Sequence, residues 1–373
     1  MLHCPDDLRR RFPRSWCELR GRFGDRQRGG AGKSGNGRCR ARGTVEAWIE
    51  LRFSASAPTA GETQARRGCS SPPRLRLTGS RKMKTFFDAH NHLQDERFDG
   101  CRDRVLDEAR QAGVRRMGVN GASAEDWPGV EQLARAHPDL VVPSVGWHPW
   151  YLHEQQPGWE AEFEGWLDRV PGVFVGEIGL DRWILEQSPA MRSRFAPALG
   201  LIEPTPFERQ VEVFRFQWEV AVRRQLPVSI HCLQCWGVLL ELLRGHAGLP
   251  PGFLLHSYGG PVELVRDFAK LGAYFSFPGY FLHERKARQR EVFRHIPPDR
   301  LLVETDAPDQ LPPACFVTYP LPGATDERPL NHPANLGSIQ AGLAEVLGED
   351  PETLGARVEA NFERLFGAST GLR

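Results

Sequence analysis

The chemically most suggestive stretch of the sequence is FFDAHNHL at residues 86–93, where His90 and His92 stand two positions apart. They end a short apolar, aromatic run that is typical of a strand. Strand side chains alternate between faces with period two, so both imidazoles would leave the strand on one side. Such a pair can bind one metal ion, although the chain has 12 histidines and a pair of this spacing also arises by coincidence. Other residues must decide between these two interpretations.

The elements that would position this pair form a repeating pattern after residue 83. Eight short β-rich apolar runs occupy residues 85–93, 115–122, 141–149, 172–181, 226–233, 252–258, 272–280 and 301–308. Amphipathic segments with helical period lie between and after them, including 102–113, 207–225, 236–246, 261–272, 335–347 and 351–366. The alternation predicts βαβ units and an α/β (β/α)₈ TIM barrel. An open doubly wound sheet is the alternative, but it would usually carry a glycine-rich first turn, which is not found here.

Polar residues recur at the carboxyl ends of these runs, where a barrel places its catalytic groups. They are His90, His92, His148, Glu177, Asp181, His231, His256 and Asp306. Each one alone is readily explained as a packed or turn-forming residue, but independent explanations do not account for several at one end of one barrel. Imidazoles with carboxylates form a mixed N/O site that suits Zn²⁺, Mn²⁺ or Mg²⁺. The ligands suffice for two divalent ions, and Glu177 is placed in the sequence to bridge them.

The first 82 residues differ in composition from the rest of the chain. They contain 19 Lys and Arg against 7 Asp and Glu, a charge of +12, whereas residues 83–373 carry −11. The segment is rich in Arg and Gly and shows no sustained helix or strand period, so we expect a disordered basic extension. Met83 stands directly before the first strand. We therefore also hypothesise that the protein begins at Met83 and that residues 1–82 are translated from a misplaced start codon. We divide the chain into this extension, 1–82, and a hydrolase barrel, 83–373.

Six motifs in order resemble the TatD family of metal-dependent deoxyribonucleases, and the resemblance covers Met83 to the carboxyl terminus. The motifs are DAHNH at 88–92, GWHP at 146–149, GEIGLD at 176–181, HC at 231–232, HSYGG at 256–260 and ETDAP at 304–308. Glutamate at position 177 favours this branch over amidohydrolases that bridge two metals with a carboxylated lysine. The resemblance implies a TIM barrel that holds one or two divalent ions.

The resemblance also implies roles for individual residues. It implies a ligand set of His90, His92, Glu177, His231, His256 and Asp306. Asp306 and Glu177 are the expected catalytic residues, and Asp306 is the expected general base. Asp88, His148 and Asp181 are expected to contact the substrate or support the ligands, although Asp181 could instead simply cap a helix.

The predicted function is hydrolysis of phosphodiesters by a metal-bound hydroxide, with single-stranded DNA or its 3′ ends, or a small phosphoester, as substrate. The alternatives are a small-molecule amidohydrolase or esterase on the same metal site, and a nucleic-acid-binding protein with an inactive barrel. The loops at 182–205 and 309–332 are longer than is usual in the family, and they put the substrate in question. No run of 18 apolar residues occurs, and the cysteines lack a disulfide pattern, so we expect no membrane span and a cytoplasmic location.

Overall fold

Eight parallel strands form one sheet in chain order in the computed structural model, which describes residues 84–193, 197–323 and 329–367. The strands are β1 (Phe86–Asn91), β2 (Val114–Asn120), β3 (Val141–Val145), β4 (Phe174–Asp181), β5 (Val228–Leu233), β6 (Phe253–Leu255), β7 (Ala273–Pro278) and β8 (Leu301–Glu304). The sequence predicts a disordered extension over residues 1–82 and a misplaced start. Both predictions concern residues that lie outside the described part of the chain.

Helices connect the strands and follow the last one. They are α1 (Arg102–Ala112), α2 (Trp127–Ala136), α3 (Trp159–Arg169), α4 (Pro189–Arg192), α5 (Phe207–Arg224), α6 (Trp236–Arg244), α7 (Val262–Lys270), α8 (Ala287–Phe293), α9 (Leu336–Leu347) and α10 (Pro351–Phe366). Local signals set their ends. Gly113 adopts a left-handed φ of 100° after α1, and the Asp350 carboxylate accepts hydrogen bonds from two backbone amides in the first turn of α10.

Backbone hydrogen bonds join the segment after β8 to β1 and bring the two edges of the sheet together. The amide of Asp306 donates to the His90 carbonyl at 2.9 Å, and the amide of His92 donates to the Ala307 carbonyl at 2.7 Å. The sheet is therefore a nearly closed barrel with helices around it, and the predicted TIM-barrel fold is confirmed.

The core is continuous from the strands into the surrounding helices. Strand residues are buried almost throughout, as expected when helices cover the outer face and side chains fill the barrel. Helix α5 contributes an apolar stripe with helical spacing, formed by Val213, Phe214, Trp218 and Ala221. Among the described residues, no helix is long and apolar enough to cross a membrane.

Six of the eight observed strands are shorter than the predicted runs at their carboxyl ends, whereas β4 and β5 end at the predicted residue. Strand β6 ends at Leu255 rather than residue 258, and β8 ends at Glu304 rather than residue 308. Ser257 and Asp306 lie just beyond these ends with left-handed φ values of 45° and 52°, which an extended strand does not contain. Ser257 and Asp306 therefore leave the ladder, whereas His90, Glu177 and His231 lie within their strands.

Candidate metal centre

Imidazoles and carboxylates converge at the carboxyl-terminal mouth of the barrel. The structure brings together all six predicted ligands, His90, His92, Glu177, His231, His256 and Asp306, and places His148 beside them. All are buried except His92, which is partly exposed. We call these seven residues the metal cluster.

One half of the metal cluster surrounds the Oε2 atom of Glu177. The Nε2 atoms of His90 and His92 lie 3.2 Å apart, and each lies 3.3 Å from Glu177 Oε2. Asp306 Oδ1 lies 3.6 Å from both nitrogens. Ligands that bind one ion tetrahedrally at about 2.1 Å stand about 3.4 Å apart, so these four atoms fit the ligand set of one divalent cation.

The other half of the cluster surrounds the second oxygen of the same carboxylate. Glu177 Oε1 lies 2.9 Å from His256 Nε2, 3.2 Å from His231 Nδ1 and 3.4 Å from His148 Nε2. Among the described residues this buried oxygen has no hydrogen-bond partner of acceptable geometry. A buried carboxylate oxygen that faces three imidazole nitrogens without such a bond suits a second cation. The two oxygens of Glu177 thus face two different groups of imidazole nitrogens, and His148 Nε2 lies in the second group.

Hydrogen bonds behind the ligands fix which ring nitrogen faces the centre. His90 Nδ1 lies 3.0 Å from Ser229 Oγ, and His92 Nδ1 lies 2.8 Å from the carbonyl of Asn120. His231 is turned the other way, because its Nε2 lies 3.0 Å from Asp181 Oδ2. Such contacts orient imidazole ligands and select their tautomers.

Asp181 realises both of the roles that the sequence left open. One carboxylate oxygen contacts His231 and accepts a 2.6 Å hydrogen bond from Trp150 Nε1, and the other accepts from the Ile184 amide at 2.9 Å. The same side chain therefore contacts a candidate ligand and accepts a hydrogen bond from the first turn of the short 3₁₀ helix Trp183–Glu186.

Asp88 lies within β1 and supports the centre through hydrogen bonds to the segment after β8. Its carboxylate accepts hydrogen bonds from the Thr305 amide at 2.9 Å, the Thr305 hydroxyl at 2.5 Å and Asn91 Nδ2 at 3.2 Å. Complete burial raises the pKa of Asp88 to about 7, against the opposing effect of the Thr305 hydrogen bonds. The residue joins the first strand to the segment after the last one, which sets the separation of His90 from Asp306.

Glu304 is a member of the site region that the sequence reasoning did not assign. It is completely buried, accepts hydrogen bonds from the hydroxyls of Ser257 and Ser276, and lies 3.8 Å from His256 Nδ1. Its position two residues before Asp306 repeats the spacing that drew attention to His90 and His92, so the signal was present in the sequence. His332, in the long loop after β8, instead contacts Glu108 on α1 at 2.9 Å and is fully buried.

The carboxylates change the protonation of the imidazoles. Burial lowers the pKa of His92, but hydrogen bonding and charge from Glu177, together with Asp306, outweigh it and raise the pKa to about 9. Burial also acts on His231, whose pKa is nevertheless raised to about 9 by Asp181 and Glu177. For His148 burial dominates and lowers the pKa to about 4. Burial also lowers the pKa of His256, but Glu177 and Glu304 outweigh it and raise that pKa. Without a bound cation, the carboxylates therefore favour protonated His92, His231 and His256 at neutral pH, and burial favours neutral His148.

Binding of a divalent cation is expected to release these protons. A cation needs the neutral imidazoles of His92, His231 and His256, so saturation of the site near neutral pH should release about three protons per chain. Because the pKa values of His92 and His231 lie near 9, affinity should rise with pH between about pH 6 and about pH 8. Calorimetry with Zn²⁺ in two buffers of different ionisation enthalpy counts the protons. An affinity that is independent of pH over this range would contradict the expectation.

Two glutamines on α5 hold the backbone next to the metal cluster. Gln217 accepts from the Trp147 amide at 2.7 Å and donates to the Trp147 carbonyl at 3.1 Å. Gln210, two helical turns earlier, makes the same pair of bonds with Asp181, at 2.8 and 3.1 Å. Both are buried, and each replaces the hydrogen bonds that a neighbouring strand would supply.

Replacing Gln217 by methionine is expected to lower the free energy of unfolding by about 2–4 kcal/mol, because two buried backbone groups lose their partners. Urea denaturation measures this change. Gln111→Met, on the exposed face of α1, is the matched control and should stay within about 0.5 kcal/mol of the parent. Equal stabilities of the two variants would show that the Trp147 backbone does not depend on Gln217.

Comparison with known proteins places this geometry in a family. The model for TatD related DNases matches residues 87–367. The 3′-5′ ssDNA/RNA exonuclease TatD of Rahnella sp. is 30% identical over 291 residues, covering 76% of this chain and 98% of the relative. The protein of the same name from Citrobacter koseri is 31% identical over 289 residues, covering 75% and 98%.

A solved structure agrees with the sequence relatives. The crystal structure of a TatD homologue from Escherichia coli matches with a TM-score of 0.63 and 27% identity, covering 76% of this chain and 98% of that one. The resemblance found in the six motifs is thereby confirmed, as is the prediction of a TatD-type metal-dependent hydrolase. This chain belongs to the family of TatD related DNases.

Proposed function

We propose that this protein is a metal-dependent phosphodiesterase that removes nucleotides from the 3′ ends of single-stranded DNA or RNA. The proposal rests on one observation. Two groups of imidazole nitrogens converge on the two oxygens of one carboxylate, Glu177, at the catalytic face of the barrel. The relatives named as 3′-5′ exonucleases supply the substrate class and the polarity.

The donor atoms suggest which residues hold which ion. We infer that His90, His92, Glu177 and Asp306 hold one divalent cation, and that Glu177, His148, His231 and His256 hold the other. The second group contains three imidazoles, which favours Zn²⁺ or Mn²⁺ over Mg²⁺ there. Bound cations would supply Lewis-acid stabilisation of the charge that develops on the phosphoryl oxygens.

Asp306 is the proposed general base, and its exposure supports that role. Its side chain is 11% exposed, whereas those of Glu177 and His90 are 3% and 0% exposed. It is therefore the carboxylate of the metal cluster most accessible to an attacking water molecule. Gln310 Nε2 donates to Asp306 Oδ2 at 2.6 Å and fixes the carboxylate, so that it can take the proton of that water as the phosphodiester is attacked.

The charge of the barrel favours a single strand over a duplex. Residues 83–373 carry −11, and tight binding to duplex DNA depends on neutralising many phosphates. A strand end that inserts into the mouth of the barrel needs few such contacts. Cys101, Cys232 and Cys235 are thiols rather than halves of disulfides, which supports a reducing, cytoplasmic location.

The experiment that tests the function follows the full chain after removal and return of metal. The protein is treated with a chelator, reloaded with Mg²⁺, Mn²⁺ or Zn²⁺, and incubated with single-stranded DNA and RNA labelled at the 5′ end. We expect a ladder of products shortened from the 3′ end, dependent on metal, with little shortening of a substrate whose 3′ end is blocked.

Two other results would replace the proposal. Turnover of carboxylic esters or amides without turnover of any phosphodiester would assign a small-molecule hydrolase to the same site. Binding of the oligonucleotide with cations present, but no hydrolysis of any of these substrates, would assign a nucleic-acid-binding protein with an inactive barrel.

A further inference from the structure

A basic and aromatic loop follows β7 at the same end of the barrel as the metal cluster. Its two short 3₁₀ helices, Gly279–Leu282 and Glu284–Lys286, come directly after the carboxyl end of the strand. We call Tyr280, His283, Arg285 and Lys286 the β7 loop cluster. Arg285 is exposed, and the other three residues are partly exposed.

The β7 loop cluster adjoins the segment that carries the proposed general base. His283 Nε2 lies 3.2 Å from the carbonyl of Leu311, and the preceding residue, Gln310, donates to Asp306 at 2.6 Å. Two side-chain contacts and one peptide bond therefore connect the loop with the metal cluster. The loop therefore adjoins the segment that borders the metal cluster.

The positively charged side chains of Arg285 and Lys286 are held in place by an aromatic ring. Arg285 Cζ lies 5.1 Å and Lys286 Nζ lies 4.8 Å from the centroid of the Tyr280 ring. Arg285 also donates to the Tyr280 hydroxyl at 3.0 Å. Arg290 fixes the backbone below them, because its Nη1 donates to the carbonyls of Phe281 and His283 at 2.8 and 2.5 Å. The charges are thus ordered before any ligand arrives.

The loop carries Arg285 and Lys286 against one acid, Glu284, so its net charge is positive on an acidic barrel. Within the described residues Arg285 forms no ion pair with a carboxylate, although most arginines on the barrel surface do. Burial lowers the pKa of His283, the hydrogen bond to Leu311 opposes this, and the charges of Arg285 and Lys286 lower it further. A solvated helix face would explain exposed basic residues, but not two cations on one ring beside the site.

We propose that Arg285 and Lys286 form a subsite for a backbone phosphate of the substrate strand, one or more nucleotides away from the bond that is cut. The inference rests on the proposed function and specifies how that function selects polymers over small phosphoesters. Two basic side chains held in place suit a phosphodiester anion without reading the base. Such a contact strengthens binding of an oligonucleotide but adds nothing for a substrate with one phosphodiester.

The test compares two charge-matched double variants of the full chain loaded with metal. Arg285→Ala/Lys286→Ala removes the subsite, and Arg266→Ala/Lys270→Ala removes the same charges from α7, where Lys270 lies at the opposite end of the barrel. The substrates are a single-stranded oligonucleotide of about 20 residues and bis(4-nitrophenyl) phosphate, which has one phosphodiester. Melting temperatures check that both variants are folded.

We expect the ratio of kcat/KM for the oligonucleotide to that for the small diester to fall about tenfold in Arg285→Ala/Lys286→Ala, through KM. The slope of log KM against log salt should fall by about 0.7 for each phosphate that the variant no longer binds. Arg266→Ala/Lys270→Ala should keep the parent ratio and slope. A tenfold fall in both variants, or in neither, would overturn the subsite.

A second measurement separates failure of the subsite from failure of the proposed function. If the parent hydrolyses no oligonucleotide, the proposed function is wrong, and binding of the same labelled strand is followed by fluorescence anisotropy. Binding that weakens about tenfold in Arg285→Ala/Lys286→Ala alone still supports the phosphate subsite. Equal binding by the parent and both variants rejects it.

Discussion

Glu177→Gln is expected to reduce phosphodiester hydrolysis by about 1,000-fold or more, equivalent to about 4 kcal/mol of lost transition-state stabilisation. The carboxylate offers one oxygen to His90 and His92 and the other to His148, His231 and His256, all within 3.4 Å. An amide removes the negative charge and turns one of these acceptors into a donor. One candidate ion position therefore loses its oxygen ligand, and the other keeps a neutral amide oxygen in place of a charged carboxylate oxygen.

The measurement pairs steady-state rates with the metal content of the purified protein. We expect Glu177→Gln to retain less than half of the parent's cation complement at equal free metal. Circular dichroism confirms the barrel, and Glu160→Gln, at an exposed position on α3, is the matched control. A variant with the full cation complement and parental rates would show that Glu177 is not a ligand.

The same substitution links the rate to the protonation of the site. Glu177 contributes to the raised pKa values of His92 and His231, so removing its charge should allow both imidazoles to lose their protons at lower pH. Any cation that still binds Glu177→Gln should therefore release fewer protons than it does from the parent. This readout does not depend on turnover, and it separates a loss of charge from a loss of fold.

The barrel could be predicted because its signal is local and repeated. Each strand is a short β-rich run, and each helix has an amphipathic period, so the chain indicates eight units without any knowledge of contacts. The candidate ligands were equally accessible, because parallel strands place their carboxyl ends on one face. His90 and Asp306 are far apart in sequence, yet topology alone brings them together.

The supporting contacts could not be predicted in the same way. Gln217 binds the backbone of Trp147 across 70 residues, and nothing in the spacing of a buried helix residue indicates which loop it will meet. The orientation of His231 also depends on a distant carboxylate, that of Asp181. Hydrogen bonds between side chains and remote backbone are set by packing, and packing is a property of the assembled barrel.

Loops are the least predictable part of the site. The long segment after β8 is predicted to border the site. Gln310 in this segment does contact Asp306, whereas His332 in the same segment is buried against α1. Basic residues such as those at 285–290 are typical of a solvated helix face, and the sequence does not indicate that Arg285 and Lys286 also lie over the ring of Tyr280. Composition indicates that a loop is polar, but only the fold shows which polar residues face the site.

Asp306→Asn should lower kcat by between about 100-fold and about 10,000-fold, the range typical of removing a general base. The asparagine oxygen can still contribute to the group formed with His90 and His92, so cation content should fall far less than in Glu177→Gln. The rate is lost because an amide cannot accept the proton of the attacking water. Substrate affinity should change little, and the effect should therefore be found in kcat rather than in KM.

The control for this substitution lies three residues away. Asp309→Asn removes a carboxylate that is 57% exposed and pairs with Arg97, and we expect rates within about twofold of the parent. Single-turnover rates with saturating enzyme isolate the chemical step from product release. If Asp306→Asn keeps its cations and reacts within about tenfold of the parent rate, the general base is another group. If its rate falls only in proportion to lost metal, Asp306 acts as a ligand alone, and the proton passes to solvent.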